Sequence, residues 1–380
     1  MTVWTASDRV QRWYESRFDQ ARAATGRPVI GVVGVDVPVE IIESCGARAY
    51  RLSAVDRQPT VEAVRLLGGA VDASAHSILD QILAGDFDFL RGLVISRDSQ
   101  SSLRLFYVLR ALAAEGRTVP PIHLVDLLHI RRESTRKYNV DQIDKFAAAV
   151  AQWTGRTHTI ENLRTACTVR AELAGRLREV RARRSAEEPT VSGTTALRLY
   201  ALSQTVPPEE SLSLTDSILS AREPVAGRVR IFVTGSAHDH DHDYAALEAG
   251  GAQVVGEDHS WGDPLADLWT EVGEATHLGA AHSTIAAHRL QCSPLAQTSG
   301  LGERARYSAE CVRRSGAQAV LSLVRRNDPA PGWDYPSLVE ELDSVVPTAK
   351  LTGATYSWQR EELVAAIEQL EREECEASTR

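Results

Sequence analysis

Four short runs rich in Val, Ile and Leu govern what this chain can fold into: PVIGVVGVDV (28–37), RGLVIS (91–96), RVRIFVTGS (228–236) and QAVLSLVRR (318–326). The first is apolar almost throughout, a pattern that suits a strand covered on both faces rather than one with a wet side. Weaker strands are expected at 48–54, 120–128, 252–258 and 347–353. Between them lie segments of helical period at 39–47, 61–68, 76–84, 99–116, 244–251, 303–315, 336–345 and 357–374. Alternating strands and helices build mostly parallel, doubly wound sheets with helices on both faces.

The alternation is interrupted once. Residues 139–185 read as two long helices, the second opened by a TIEN capping pattern, and a third helix is expected at 193–203 between polar, Pro-bearing joints. Arg170 to Arg184, interleaved with Glu172 and Glu179, reads as a solvated helix face. The expected fold class is therefore α/β: two doubly wound, Rossmann-like domains at 1–135 and 226–380, joined by a helical region at 136–225. A chain of 380 residues has room for that. An amphipathic helix at 5–25 precedes the first strand, with Trp13, Phe18 and Ala21 as its candidate buried positions.

Charge and cysteine content narrow the function. The 42 Lys and Arg against 51 Asp and Glu leave a net charge of −9, which argues against a nucleic-acid partner because phosphates need a basic face. The five cysteines are scattered, with no CxxC, so neither a disulfide framework nor a zinc ribbon is expected. Cys45, at a helix end, reads as structural, because a helix C-terminus disfavours a thiolate. The N-terminal stretch lacks the apolar run of a signal peptide, and no segment is long and apolar enough to span a membrane. The expectation is a cytoplasmic protein without membrane contact. GVVGVD (31–36) has too few glycines for a dinucleotide fingerprint, and no P-loop, GxSxG or kinase signature occurs.

The most unusual segment is GSAHDHDHDY (235–244). Its plain reading is an acidic first helical turn, favoured by the helix dipole, with histidines in solvent. The alternatives are a substrate-contacting loop and a metal site on His238, His240 and His242, since imidazole and carboxylate together suit zinc, iron or nickel. His277, His282 and His288 are spaced five and six apart, share no helical face and read as surface or satisfied core residues.

Four segments in order resemble the 2-hydroxyacyl-CoA dehydratase family, which includes the benzoyl-CoA reductase subunits. They are VPVEIIESCGARAYRL (37–52), ILAGDFDFLRGLVISRDSQSSLRLFYVL (82–109), RVRIFVTGSAHDH with LEAGGAQVVGED (228–258), and AVLSLVRRNDPAPGWDYPSLVEEL (319–342). The resemblance implies a subunit with two α/β domains that pairs with a related chain. It implies an acyl-CoA-like substrate, an ATP-dependent activator that delivers an electron, and a [4Fe–4S] cluster held between the domains by three cysteines.

The chain departs from that pattern where the cluster would sit. Arg97 stands where a cysteine would precede Asp98, and Asn327 where another would precede Asp328. VDASAHS (71–77), where the first ligand falls, has no cysteine. Iron–sulfur clusters need thiolates, and a guanidinium cannot ligate iron. No cofactor is therefore expected in this chain, with a [4Fe–4S] cluster left to a partner subunit. The resemblance makes Arg97, Asp98, Asn327, Asp328 and Trp333 the candidate catalytic residues of the interdomain cleft. Glu43, Ser44, Gly235, Ser236 and His238 are the candidates for substrate binding. Arg97 in the slot would need an anionic partner: Asp98, Asp328 or a ligand. The readings carried forward are a cluster-free subunit of a dehydratase-like lyase, an enzyme with a repurposed polar or metal-assisted cleft, and a non-catalytic scaffold subunit.

Overall fold

A computed structural model of the chain describes residues 4–343 and 346–378; the last two residues of the helix expected at 336–345 lie outside them. Two four-stranded, all-parallel sheets form the frame. The first holds β1 (Val29–Val33), β2 (Arg48–Arg51), β3 (Leu90–Ser96) and β4 (Ile122–Val125), in the order β2-β1-β3-β4. The second holds β5 (Val229–Gly235), β6 (Ala252–Glu257), β7 (Ala319–Val324) and β8 (Thr348–Thr352), in the order β6-β5-β7-β8. The two α/β halves are thus built alike. The continuous apolar runs are buried along their whole length in β1, β6 and β7, as strands covered by helices on both faces must be.

In each half the chain passes from the first strand to a neighbour on one side, then crosses back to pair on the other. That reversal opens a crevice at the carboxyl ends of β1 and β3, and another at those of β5 and β7. A glycine with positive φ ends the central strand in both halves: Gly34 (φ 92°) just after β1, and Gly235 (φ 116°) at the end of β5. A side chain at Gly34 would run into the Ser96 hydroxyl and the Asp98 carboxylate; at Gly235 it would run into the backbone of Leu323.

Between the halves lies a helical layer of Glu133–Thr154, Ile160–Ser185, Gly193–Thr205 and Pro208–Ala221, against which Ala6–Arg22 and Leu278–Gln291 also pack. One core cluster runs through it, from Val10 and Tyr14 by way of Phe146, Leu173 and Tyr200 to Ile285. Thr159 caps the longest of these helices by accepting from the Asn162 amide at 3.2 Å. The segment expected to be a polar joint after 203 contains the helix Pro208–Ala221. Pro208 occupies its first turn with Glu209 and Glu210, an arrangement that starts a helix rather than breaking one.

The solvated reading of the Arg170–Arg184 face is overturned at both ends. Arg170 is buried and paired with Glu43, and Arg184 is fully buried between Glu257 and Asp263, each at 2.6 Å. Those two arginines tie the longest helix to the helix Val39–Ser44 of the first half and to β6 and the turn after it in the second. Among the described residues no helix is long and apolar enough to cross a membrane.

Candidate functional site

The carboxyl ends of both sheets face one cleft of about 180 Å³. Three chain segments far apart in sequence meet in it: Asp72 to Ala75, Asp98 to Ser102, and Arg325 to Tyr335. Gly235, Ala237 and Asp239 from the β5 loop and Asp258 to Trp261 after β6 complete the wall. A volume of this size lies below the 300–1,000 Å³ usual for drug-sized ligands.

The cleft is rich in buried carboxylates. Asp72 caps the helix Ala73–Leu83 by accepting from the Ser74 amide, and it also receives Arg325 from the other half at 3.1 and 3.3 Å. Arg325 donates further to the Ala237 carbonyl at 2.9 Å. Asp98 accepts from the Val35 amide at 2.6 Å through one oxygen, while its other oxygen is buried without a well-aligned hydrogen bond among the described residues. Burial, with Asp36 nearby, pushes the Asp98 carboxyl up. Burial also pushes Asp258 up to about 6, although Thr234 donates to it at 2.8 Å. Asp328 is likewise pushed up to about 6, by burial and by Asp72. Carboxyls held near 6 exchange protons near neutral pH, which is what general acid–base work requires.

Two cations in the wall differ. Arg304 is neutralised by a two-pronged pairing with Asp334, at 3.0 and 2.6 Å. Arg51, at the carboxyl end of β2, is 4 % exposed and makes its hydrogen bonds to neutral groups, the Ser260 carbonyl and hydroxyl, at 2.5 and 3.0 Å. It stacks on the Trp261 ring at 4.1 Å, and burial draws its pKa down to about 10. A buried guanidinium without a carboxylate partner among the described residues is ready to receive an anion or a polarised carbonyl. The sequence reading passed over Arg51; the signal available was a charged residue ending an otherwise apolar strand at its carboxyl end.

The expected site residues separate on inspection. Asp98, Asp328 and Gly235 line the cleft. Ser236 lies just beneath it, fully buried, accepting from the Arg325 amide at 2.9 Å. Arg97 does not enter the slot. It is half-exposed and pairs with Asp126 at 3.2 Å rather than with Asp98 or Asp328, because successive residues at a strand end point to opposite sides. Asn327 is exposed, in a left-handed turn (φ 65°), and donates to the Gly69 carbonyl of the other half at 2.9 Å. Trp333 is 72 % exposed and outside the lining.

Glu43 and Ser44 also lie away from the cleft. Glu43 holds Arg170. Ser44 begins a chain of contacts that runs to His158 at 2.6 Å, on to His282 at 2.9 Å and out to Asp144 at 2.6 Å. His282 is thus a satisfied core histidine, His277 caps its own helix, and His288 meets the Asp267 carbonyl at 2.9 Å.

The 235–244 segment is not a solvated turn. His238 and His240 are buried, and only His242 of the three is exposed. The helix begins at His242 and turns that side chain outward, while Asp243 rotates inward beside the other two. The intervening carboxylates are latches. Asp239 accepts from the Ala54 amide at 2.7 Å and from the Tyr356 hydroxyl at 2.7 Å, and Asp241 pairs with Arg198 at 2.7 Å.

No cysteine is among the cleft-lining residues. Cys45, Cys167 and Cys311 are buried elsewhere, and burial pushes the thiols of Cys292 and Cys311 up to about 11 and about 12. A family model described as 2-hydroxyglutaryl-CoA dehydratase, D-component, matches residues 34–371. No curated protein matches the chain significantly.

Proposed function

The chain belongs to the family of 2-hydroxyglutaryl-CoA dehydratase D-components, and from that premise we propose that it is the cluster-free subunit of a 2-hydroxyacyl-CoA dehydratase-like assembly. It pairs with a related subunit, its cleft receives the acyl end of a CoA-type thioester, and any [4Fe–4S] cluster belongs to the partner, served by an ATP-dependent activator. One observation carries this reading: the three segments that would supply cluster thiolates converge on one cleft, and they bring Asp72, Asp98, Asp328 and Arg325 there instead. Carboxylates and guanidinium do not make the thiolate donor set that a cubane needs, so the residues present do not fit a cluster and no step is routed through one.

Within the cleft the chemistry offered is polar. Arg51 would take the thioester carbonyl or a substrate carboxylate by charge-assisted hydrogen bonds. Asp258 and Asp328, with pKa values near 6, would move protons at the substrate's α and β positions. Those two carboxyls also favour the second reading, in which the cleft performs acid–base chemistry by itself.

Anaerobic isolation from the native host, with iron analysis of the separated chains, tests the proposal. The expected result is co-purification with a related subunit while this chain alone is colourless. A brown chain carrying about four irons would overturn the proposal. An isolated chain that turns over acyl thioesters, and stops doing so in Asp328→Asn, would favour the second reading.

A further inference from the structure

The side chains of His238, His240 and Asp243 converge behind the wall of the cleft, with their nearest ligand atoms all within 4.8 Å of one another. His238 Nδ1 lies 3.1 Å from Asp243 Oδ2, and His240 Nε2 lies 3.6 Å from the same oxygen. The second is too long for a hydrogen bond. Both ring nitrogens of each histidine, and that carboxylate oxygen, are buried, and beyond those two mutual contacts none has a hydrogen-bond partner among the described residues. Five buried polar atoms in one place with only each other to meet are unusual, because buried polar groups are nearly always fully satisfied. The other oxygen of Asp243 is engaged, accepting from the Trp358 amide at 3.1 Å, which fixes the carboxylate and leaves Oδ2 aimed at the two rings.

We propose that His238, His240 and Asp243 form a divalent-metal site of zinc type that clamps the loop between β5 and the following helix. Bonds of about 2.0–2.1 Å in tetrahedral geometry set neighbouring ligand atoms roughly 3.3 Å apart; the two histidine–carboxylate separations bracket that value, and the ligand atoms of the two histidines lie within 4.8 Å of each other. Neutral imidazoles with one carboxylate are the donors zinc prefers over magnesium or calcium, which take oxygen. The surroundings are aromatic. The Tyr356 ring lies 4.6 Å from that of His240, and the Trp358 ring 5.9 Å from that of His238. His259 is near, but its ring is held by the Tyr244 hydroxyl at 2.9 Å and by the Trp261 amide. Three protein ligands remain, leaving a fourth position for water or a further donor.

The site has a mechanical consequence. Asp239, between the two histidines, grips the Ala54 amide of the opposite half. A metal that fixes residues 238 and 240 fixes Asp239, and with it the cleft wall.

The test is titration of the chelator-treated full chain with Co²⁺ and then Zn²⁺, followed by visible absorption, bound metal and the thermal midpoint. The expected result is about one Co²⁺ per chain with the ligand-field spectrum of a four-coordinate nitrogen–oxygen site. Zn²⁺ should displace it and raise the midpoint by roughly 2 °C or more. His240→Ala and Asp243→Asn should weaken binding on the order of a hundredfold or more, while His242→Ala, on the exposed side, should bind as the unaltered chain does. The wild-type titration decides the matter even if a variant misfolds. Substoichiometric Co²⁺ without that spectrum would overturn the proposal, as would binding that survives in a folded His240→Ala chain or is lost in His242→Ala.

Discussion

In the N-terminal half the chain leaves its central strand through Gly34 and reaches Asp36; in the C-terminal half it leaves through Gly235 and reaches His238. The two exits are topological counterparts, yet histidine and aspartate do different things in them. Asp36 faces a single buried histidine, His129, at 2.9 Å. Burial alone would lower the His129 pKa, but Asp36, with Asp98 and Asp126 behind it, overrides that and raises it. Asp243 instead faces two histidines, and there burial wins: His240 is drawn down to about 4 despite Asp243 and Asp239. One carboxylate can hold one imidazole charged in a dry place. Shared between two, it does not offset the burial of His240, which is left neutral with a lone pair free for a Lewis acid.

The halves can be separated experimentally by what each tolerates. The largest effect is expected where they are joined. Arg325→Met strands Asp72 and Asp328 without their buried cation and should cost about 3–5 kcal/mol in urea unfolding; adding Asp72→Asn should recover part of that. A cost under about 1 kcal/mol would mean that the ion pair does not tie the halves together. Next come the two exit glycines. Gly235→Ala meets a backbone carbonyl that cannot rotate away, and should cost roughly 3 kcal/mol or more. Gly34→Ala meets the Ser96 and Asp98 side chains, which can move, and should cost about 2 kcal/mol. Equal costs would erase the distinction between the exits.

The smallest effect is pH-dependent. Because His129 binds its proton more tightly when folded, its contribution to stability is complete below about pH 6.5 and fades as pH rises through the raised folded value. His129→Gln should therefore cost about 1 kcal/mol near pH 6 and progressively less towards pH 9. A cost that grows with pH would refute the charged pair.

How much of this was legible in the sequence depends on the range of the interaction. The strands were, because β1 and β7 are buried by continuous apolar runs that announce themselves locally. The helix Pro208–Ala221 was obscured by its polar, proline-led start, although Pro208 and two glutamates are themselves an initiation signal. The burial of Arg170 and Arg184 was not legible. Their carboxylate partners Glu43 and Glu257 lie 127 and 73 residues away, and local spacing sees only the alternation of charges. In the candidate site, Asp98 and Asp328 were found through the segments that carry them, whereas the neighbours Arg97 and Asn327 point elsewhere. The histidine segment drew notice by composition, but only the position of the helix start decides that Asp243 and not His242 turns inward.

The latches around the cleft bear on how anything gets in. Asp239 to the Ala54 amide, Arg51 to Ser260, Tyr356 to the Ala54 carbonyl and Asn327 to the Gly69 carbonyl all cross from one half to the other. A hinged jaw would have to release them together, and each is worth a modest amount alone but a large one in concert. The cleft therefore resembles a letter slot more than a mouth: contacts that hold the two halves together set its width, so a guest would be selected by girth before any bond is touched.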